Sequence, residues 1–248
     1  MGVNFQEIDS QPTSIGEISL RRRKLLQLDG LEIFEIKLNE EFLMSSLFHV
    51  VEDALADLAL AQLDGDSFGE RVERIDVVVG GLGLGYTAIS ALKSERVQSL
   101  MVVDLLQPVI DWHRGGLVPL GLELSRDPRC RLVQGDFFAN GMSATGFDPE
   151  MPHRKFHAIL LDIDHSPDRL LAPENGSFYS REGLALVAKH LVPGGVFALW
   201  SDDGPMEEFM VALADVFEDV QAHVIEFENP LLYEKSRGTV FHGRAKLN

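Results

Sequence analysis

The stretch from Ile75 to Ser90, IDVVVGGLGLGYTAIS, changes its periodicity halfway along. An apolar run at Ile75, Val77, Val78 and Val79 gives way to glycines, and helical spacing resumes after Gly85. This predicts a strand buried on both faces, a Gly-rich turn and a helix. The alternation recurs along the chain. Val97 to Val103 ends at Asp104, Arg131 to Val133 at Gly135-Asp136, and Ala158 to Leu161 at Asp162; Val196 to Trp200 follows Pro193-Gly194-Gly195. Between these runs Pro108 opens one helix, Ser180 to Leu191 reads as another, and Pro205 opens a third reaching Phe217. Such alternation predicts an α/β fold with a doubly wound, mostly parallel, Rossmann-like sheet. Gln221 to Phe227 and Thr239 to Ala245, with a turn near Glu234 to Gly238, add two terminal strands, bringing the sheet to seven.

Ahead of this, Ile18, Leu20, Leu31, Ile33, Ile36 and Leu38 alternate with polar residues, with turn candidates at Asp29-Gly30 and Asn39-Glu40. That pattern predicts a small antiparallel meander from Gly16 to Met44, preceded by a frayed polar end at residues 1 to about 14. Ser45 and Ser46 are placed to cap a helix reaching about Leu63, whose apolar stripe includes Val51, Leu55 and Leu58. Two units follow: residues 1–44, the tail and meander, and residues 45–248, the α/β domain. The basic run Arg21 to Lys24 reads as a solvated strand edge. Ile163 to Gly176, rich in Pro, Asp and Asn, reads as a long loop, a length that is uncommon without a functional role.

Charge narrows the choice of partners. With 39 acidic against 22 basic residues and a net charge of −17, the surface repels a phosphate backbone, so no nucleic-acid partner is expected. The acidity fits either simple solubility or attraction of cationic small molecules such as polyamines. The single cysteine, Cys130, leaves no intrachain disulfide framework and fits a reducing, cytoplasmic setting. No apolar run has the length of a membrane span, and the N-terminus lacks the apolar stretch of a secretion signal.

Open parallel sheets bind ligands beyond the carboxyl ends of their strands. Here the first strand ends in Gly80, Gly81, Gly83 and Gly85, where a ligand can approach bare backbone. Asp104 follows Gly83 by 21 residues, the distance at which an acid accepts the ribose hydroxyls of a nucleoside lying over the turn. Asp136 can accept from an adenine amino group, although either carboxylate would also serve as a helix cap. Gly83 to Ala88 also fits the G-x-G-x-x-A dinucleotide fingerprint, leaving a nicotinamide enzyme as an alternative, while the absence of a following Lys-Ser or Lys-Thr excludes a phosphate-loop NTPase. Asp162, at the end of the fourth run, serves either as a carboxylate capping the loop or as an acid–base group, with Asp164, Asp202 and Asp203 adding negative field for a cationic ligand. Asp162, Asp164 and His165 form a weak alternative as metal ligands, and no metal is expected. His153 and His157 read as surface histidines.

The order VVVGGLGLGYTA, VVDLLQPVI, RLVQGDFF, AILLDIDHSP, FYSREGLALVAKHLVPGG and RGTVFHGRAK resembles the spermidine synthases, aminopropyltransferases with the class I methyltransferase fold, from about Gly16 to Lys246. The resemblance implies an adenosylmethionine or decarboxylated adenosylmethionine donor, a small amine acceptor such as a polyamine, and a homodimer. It places the donor on Gly80, Gly81, Gly83, Gly85, Asp104, Leu105, Gly135, Asp136 and Asp162, with Asp162 and Asp164 as the catalytic acids. Three departures stand out. The synthases carry an aspartate at the position of Gly83, where it holds the donor's ammonium, and a tyrosine at the head of the linking helix, where this chain reads LFHVVED. Their second loop aspartate falls near His165 or Ser166, with Asp164 one step away. An active transferase and an adenosyl-binding relative without turnover are both compatible with this pattern.

Lacking an acid at residue 83, the protein should bind intact adenosylmethionine or adenosylhomocysteine at least as well as the decarboxylated donor, and should make spermidine poorly from putrescine. A thermal-shift panel of these ligands, methylthioadenosine and NAD checks this. Strong selection for the decarboxylated donor, with brisk spermidine formation, overturns it.

Overall fold

Phe5 to Thr13, expected to fray, is instead a strand. A computed structural model describes residues 4–64, 72–232 and 234–247, and there β1 (Phe5–Thr13) pairs with β2 (Gly16–Leu25), followed by β3 (Leu31–Leu38) and β4 (Glu41–Ser45) in an antiparallel sheet of order β1-β2-β3-β4. The polarity that hid β1 is matched across the sheet: Arg21 meets Glu7 at 3.4 Å, and the indole Nε1 of Trp112 donates to Asp9 at 2.7 Å. The Arg21–Lys24 run therefore lies on an inner strand rather than an edge, with Arg23 bound to Glu35 on β3 at 2.8 Å. Beneath these charges Ile18, Leu20, Ile36 and Leu38 are buried in the same apolar cluster as Trp112.

The linking helix α1 (Val50–Ala61) starts later than the serines suggested. Ser45 ends β4, and the Ser46 hydroxyl accepts from the Phe34 amide at 2.9 Å, so neither caps the helix; His49 occupies the cap position, its ring 2.8 Å from Asp53 rather than bonded to a helix amide. Asp53 in the first turn complements the positive end of the helix dipole.

The α/β unit runs β5 (Ile75–Gly80), α2 (Tyr86–Leu92), β6 (Val97–Asp104), α3 (Gln107–Arg114), α4 (Gly121–Arg126), β7 (Cys130–Gln134), α5 (Phe137–Met142), β8 (Phe156–Leu161), α6 (Arg181–Val187), β9 (Leu191–Ser201), α7 (Glu207–Val216), β10 (Glu218–Asn229) and β11 (Glu234–Arg244). Its seven strands lie in the order β10-β11-β9-β8-β5-β6-β7, with β11 antiparallel to both neighbours and β5 through β9 parallel. This is the doubly wound, mostly parallel sheet expected. Apolar side chains fill both faces: α1, α2, α3 and the N-terminal sheet cover one, and an aromatic cluster including Phe137, Phe147, Phe178 and Phe197 covers the other.

Three boundaries move. The stop at Pro193-Gly194-Gly195 lies inside β9, where the register shifts between the Phe156–Leu191 and Ala158–Val196 pairs, so the strand absorbs it as an irregularity. Glu234 to Gly238 begin β11 rather than forming the turn; the chain reverses after Asn229, whose side chain accepts from the Leu231 amide at 3.0 Å. His157 belongs to β8 and accepts from the Asp76 amide at 3.1 Å, so it is a strand residue rather than a surface one. Among the described residues no helix is long and apolar enough to cross a membrane.

His113 on α3 is fully buried, and its Nε2 lies 2.9 Å from the Gly83 carbonyl oxygen. Burial holds its pKa down to about 4, against an ordinary value near 6.5. The unfolded chain therefore takes up the proton first, so this contribution to stability is complete above about pH 6.5 and lost as pH falls through 4. Denaturant unfolding at pH 7 and pH 4.5 should differ by about 2–3 kcal/mol from this residue. His113→Gln should narrow the gap; an unchanged gap refutes the assignment.

Candidate active site

Beyond the carboxyl ends of β5, β6, β7 and β8 opens a cavity of about 590 Å³, walled by the glycine turn, the N-terminal sheet and the loop after β8. Of the nine residues assigned to the donor, six line it: Gly81, Gly83, Asp104, Leu105, Asp136 and Asp162. Gly80, Gly85 and Gly135 do not. A Cβ on Gly80 would lie 2.6 Å from the Phe137 ring, one on Gly85 2.9 Å from His113, and one on Gly135 3.1 Å from Asn140. At these three positions a side chain would strike the surrounding fold. Gly81 lets the turn pass the Asp162 carbonyl, and Gly83, at φ +45°, leaves room for the Met44 sulfur.

Asp104 binds the turn before it can bind a ligand. One carboxylate oxygen accepts from the Leu82 amide and the other from Leu106, both at 2.8 Å. Burial raises its pKa, opposed by these backbone donors. Each oxygen keeps a second lone pair for a ligand hydroxyl. Asp136 is both cap and lining residue, with Oδ1 accepting from the Ala139 amide at 3.0 Å at the start of α5.

Asp162 and Glu52 form the chemically most distinctive feature of the cavity. The Thr87 hydroxyl donates to Asp162 Oδ2 at 2.6 Å and lies 3.5 Å from the Glu52 carbonyl oxygen, so one threonine on α2 joins the end of β8 to the head of α1. Burial raises Asp162 to about 6, and burial together with the Asp162 charge raises Glu52 to about 8. Near neutral pH the two share one proton and one negative charge.

Asp164 does not join them. It is fully buried, outside the cavity lining, and accepts from the Leu171 amide (2.7 Å), Asn175 (3.0 Å) and the Tyr179 hydroxyl (2.7 Å). It is the knot that shapes the long loop, set behind the cavity wall that Asp162 and His165 line. His165 faces Glu41 of β4 at 3.2 Å, closing the loop against the N-terminal sheet. Asp202 lines the cavity but is engaged by Arg169, which also meets Asp203 at 3.1 Å.

The sequence left Glu52 and Met44 unassigned. Glu52 carried a signal: it lies at i, i+3, i+4 and i+7 spacing with Leu55, Ala56 and Ala59, an acid on the buried stripe of α1 with only 8% exposure. Met44 carried none. Its sulfur accepts from the Leu84 amide at 3.2 Å, a contact between residues 40 apart that no local pattern encodes.

The topology and the cavity at the strand ends define a class I methyltransferase-type α/β fold with a small antiparallel sheet in front. A spermidine synthase in complex with the transition-state analogue AdoDATO is similar over 98% of this chain and 74% of its own, with TM-score 0.70 and 17% identity. Spermidine synthase from Thermotoga maritima gives 0.67 at 16% identity, covering 98% and 73%, and human methyltransferase-like protein 13 in complex with SAH gives 0.56 at 19%, covering 79% and 82%. No family model matches the chain.

Met44 occupies the space that an acid at residue 83 would need. Gly83→Asp should therefore lower stability by about 1–3 kcal/mol, from the left-handed backbone and the displaced sulfur. Met44→Ala combined with Gly83→Asp should recover part of the loss. Thermal unfolding of the three variants checks this, and a fully stable Gly83→Asp refutes it.

Proposed function

We propose that this protein is an adenosyl-sulfonium-dependent alkyl transferase acting on a small amine. The observation that carries the reading is that Glu52 and Asp162 both line the cavity beside Gly81 and Asp104, with the Thr87 hydroxyl bonded to the Asp162 carboxylate and close to the Glu52 backbone carbonyl. In support, the similar structures include a synthase holding a transition-state analogue and a methyltransferase holding SAH. The ribose lies against the free lone pairs of Asp104, and the adenine against Asp136 and Leu105.

The reaction needs little covalent help from the protein. The acceptor nitrogen uses its lone pair to bond the carbon attached to sulfur, while the carbon–sulfur bond breaks and its electrons go to sulfur, leaving a neutral thioether nucleoside. The nitrogen loses one proton, which Asp162 takes. Alignment of donor and acceptor supplies most of the acceleration, and the raised pKa near 6 suits Asp162 to accept a proton around neutrality. Its partner Glu52, protonated below about pH 8, relieves like-charge repulsion in the free site and adds negative charge when a cation binds. Among the described residues no Lys or Arg lines this cavity, while Glu52, Asp104, Asp136, Asp162, Glu174 and Asp202 do, a field that favours a sulfonium and an amine together. With Met44 in place of a tail-binding acid, intact adenosylmethionine is the expected donor and methyl the expected group.

Incubation with adenosylmethionine and a panel of small amines should yield adenosylhomocysteine, and Asp162→Asn should slow turnover by about 100-fold or more. Methylthioadenosine formed only from the decarboxylated donor would instead assign aminopropyl transfer. Calorimetry gives a second test: affinity for cationic adenosylmethionine should rise between pH 6 and 8, while that for neutral methylthioadenosine stays flat. Glu52→Gln should abolish the upper part of that rise; a parallel profile for both nucleosides sinks the role of the pair.

A further inference from the structure

Beside the main cavity is a smaller one of about 80 Å³ that shares Phe48, Glu52, Trp200 and Asp202 with it and adds Val51 and Phe227. Its wall differs from that of its neighbour. Trp200 and Phe227 pack on the apolar cluster that lines the α1 side of the sheet, Val51 is buried in the same cluster, and the Phe48 and Phe227 rings lie 5.4 Å apart. Arg237 sits at the margin, but strand alternation sets its side chain on the opposite sheet face with Glu226 and Lys235, so it brings no charge inward. The acids stand only where the two spaces meet. Of these, Asp202 is already bound by Arg169, which leaves Glu52 as the carboxyl group available to a ligand at that junction. Past Glu52 the pocket is aromatic and aliphatic.

Near neutral pH Glu52 and Asp162 together carry one negative charge, which one ammonium balances. A second ammonium carried into the side pocket would lose its water against Phe48, Val51 and Phe227 with no carboxylate to replace it. An alkyl group gains there instead, because each methylene moved out of water adds about fourfold in affinity. The space sets the length: at roughly 30 Å³ for each water-sized group, it holds about three carbons beyond the one bonded to nitrogen. We propose that the side pocket is the tail subsite of the acceptor and that it selects a monoamine with a short straight or branched alkyl chain over a diamine of the same length. This inference rests on the transferase reading for the amine's fate, but not for the amine's binding.

Calorimetry on the full protein near neutral pH, with and without methylthioadenosine, tests it using straight-chain alkylamines of two to eight carbons and the diamines of matching length. Monoamine affinity should rise about fourfold per carbon and level off at about four or five carbons, where the matching diamine should bind about tenfold or more weakly. Phe227→Ala should move that plateau outward by at least one carbon, and Phe227→Asp, which supplies the missing carboxylate, should reverse the preference in favour of the diamine. Diamines as tight as monoamines in the wild-type protein, affinity indifferent to chain length, neither class binding, or a Phe227→Ala profile identical to that of the wild type each overturn the proposal. Absence of methylthioadenosine binding and of turnover, with chain-length-dependent amine binding retained, would refute the transferase reading while leaving this subsite standing. Adenosylhomocysteine formed equally well with amines of every length would do the reverse.

Discussion

The carboxylate of Asp104 is the interaction on which the site depends. By accepting from Leu82 and Leu106 it fixes the end of β6 against the turn that follows β5, while the Gly81 amide donates to the Val103 carbonyl at 3.0 Å. A buried carboxylate is costly to desolvate, and charge-assisted bonds to backbone donors offset that cost. Two strand ends are thereby locked in one geometry before any ligand arrives. The remaining lone pairs of the same group are those offered to a ribose, so scaffold and recognition share one side chain.

A second constraint comes from the opposite wall. The N-terminal sheet covers the glycine turn with Met44, closes on the loop after β8 through Glu41 and His165, and is pinned to α3 through Asp9 and Trp112. Hydrogen bonds to Trp112 and Gln11 lower the Asp9 pKa despite its partial burial, so the pin remains charged at neutral pH. The cavity thus belongs to neither unit alone. Strand ends supply its carboxylates, and the meander supplies much of its apolar roof through Ile15, Ile18 and Ile36.

The central strands were legible because burial on both faces leaves an apolar run that nothing else produces, as at Val77–Val79 and Ile159–Leu161. Strands stabilised by cross-strand charge were not. β1 and the start of β11 read as polar ends and turns because Arg21–Glu7 and Lys235–Glu226 satisfy them from a neighbour that the sequence does not name. Within the site, the positions of Asp104, Asp136 and Asp162 followed from the strand ends. Their orientations and those of nearby residues did not. Asp164 differs from Asp162 by two residues and turns into a buried knot, and Gly81, unlike its neighbour Gly80, takes a left-handed φ and lines the cavity.

The bond between Asp9 and Trp112 joins residues 103 apart. During synthesis β1 leaves the ribosome well before the helix that receives it, so the meander has to wait, with its inner face unmatched, until α3 has emerged. Contacts of such long sequence separation form late because loop-closure entropy is spent before they are gained. A nascent chain truncated before α3 would therefore expose Ile18, Leu20 and Ile36, a surface that chaperones would recognise.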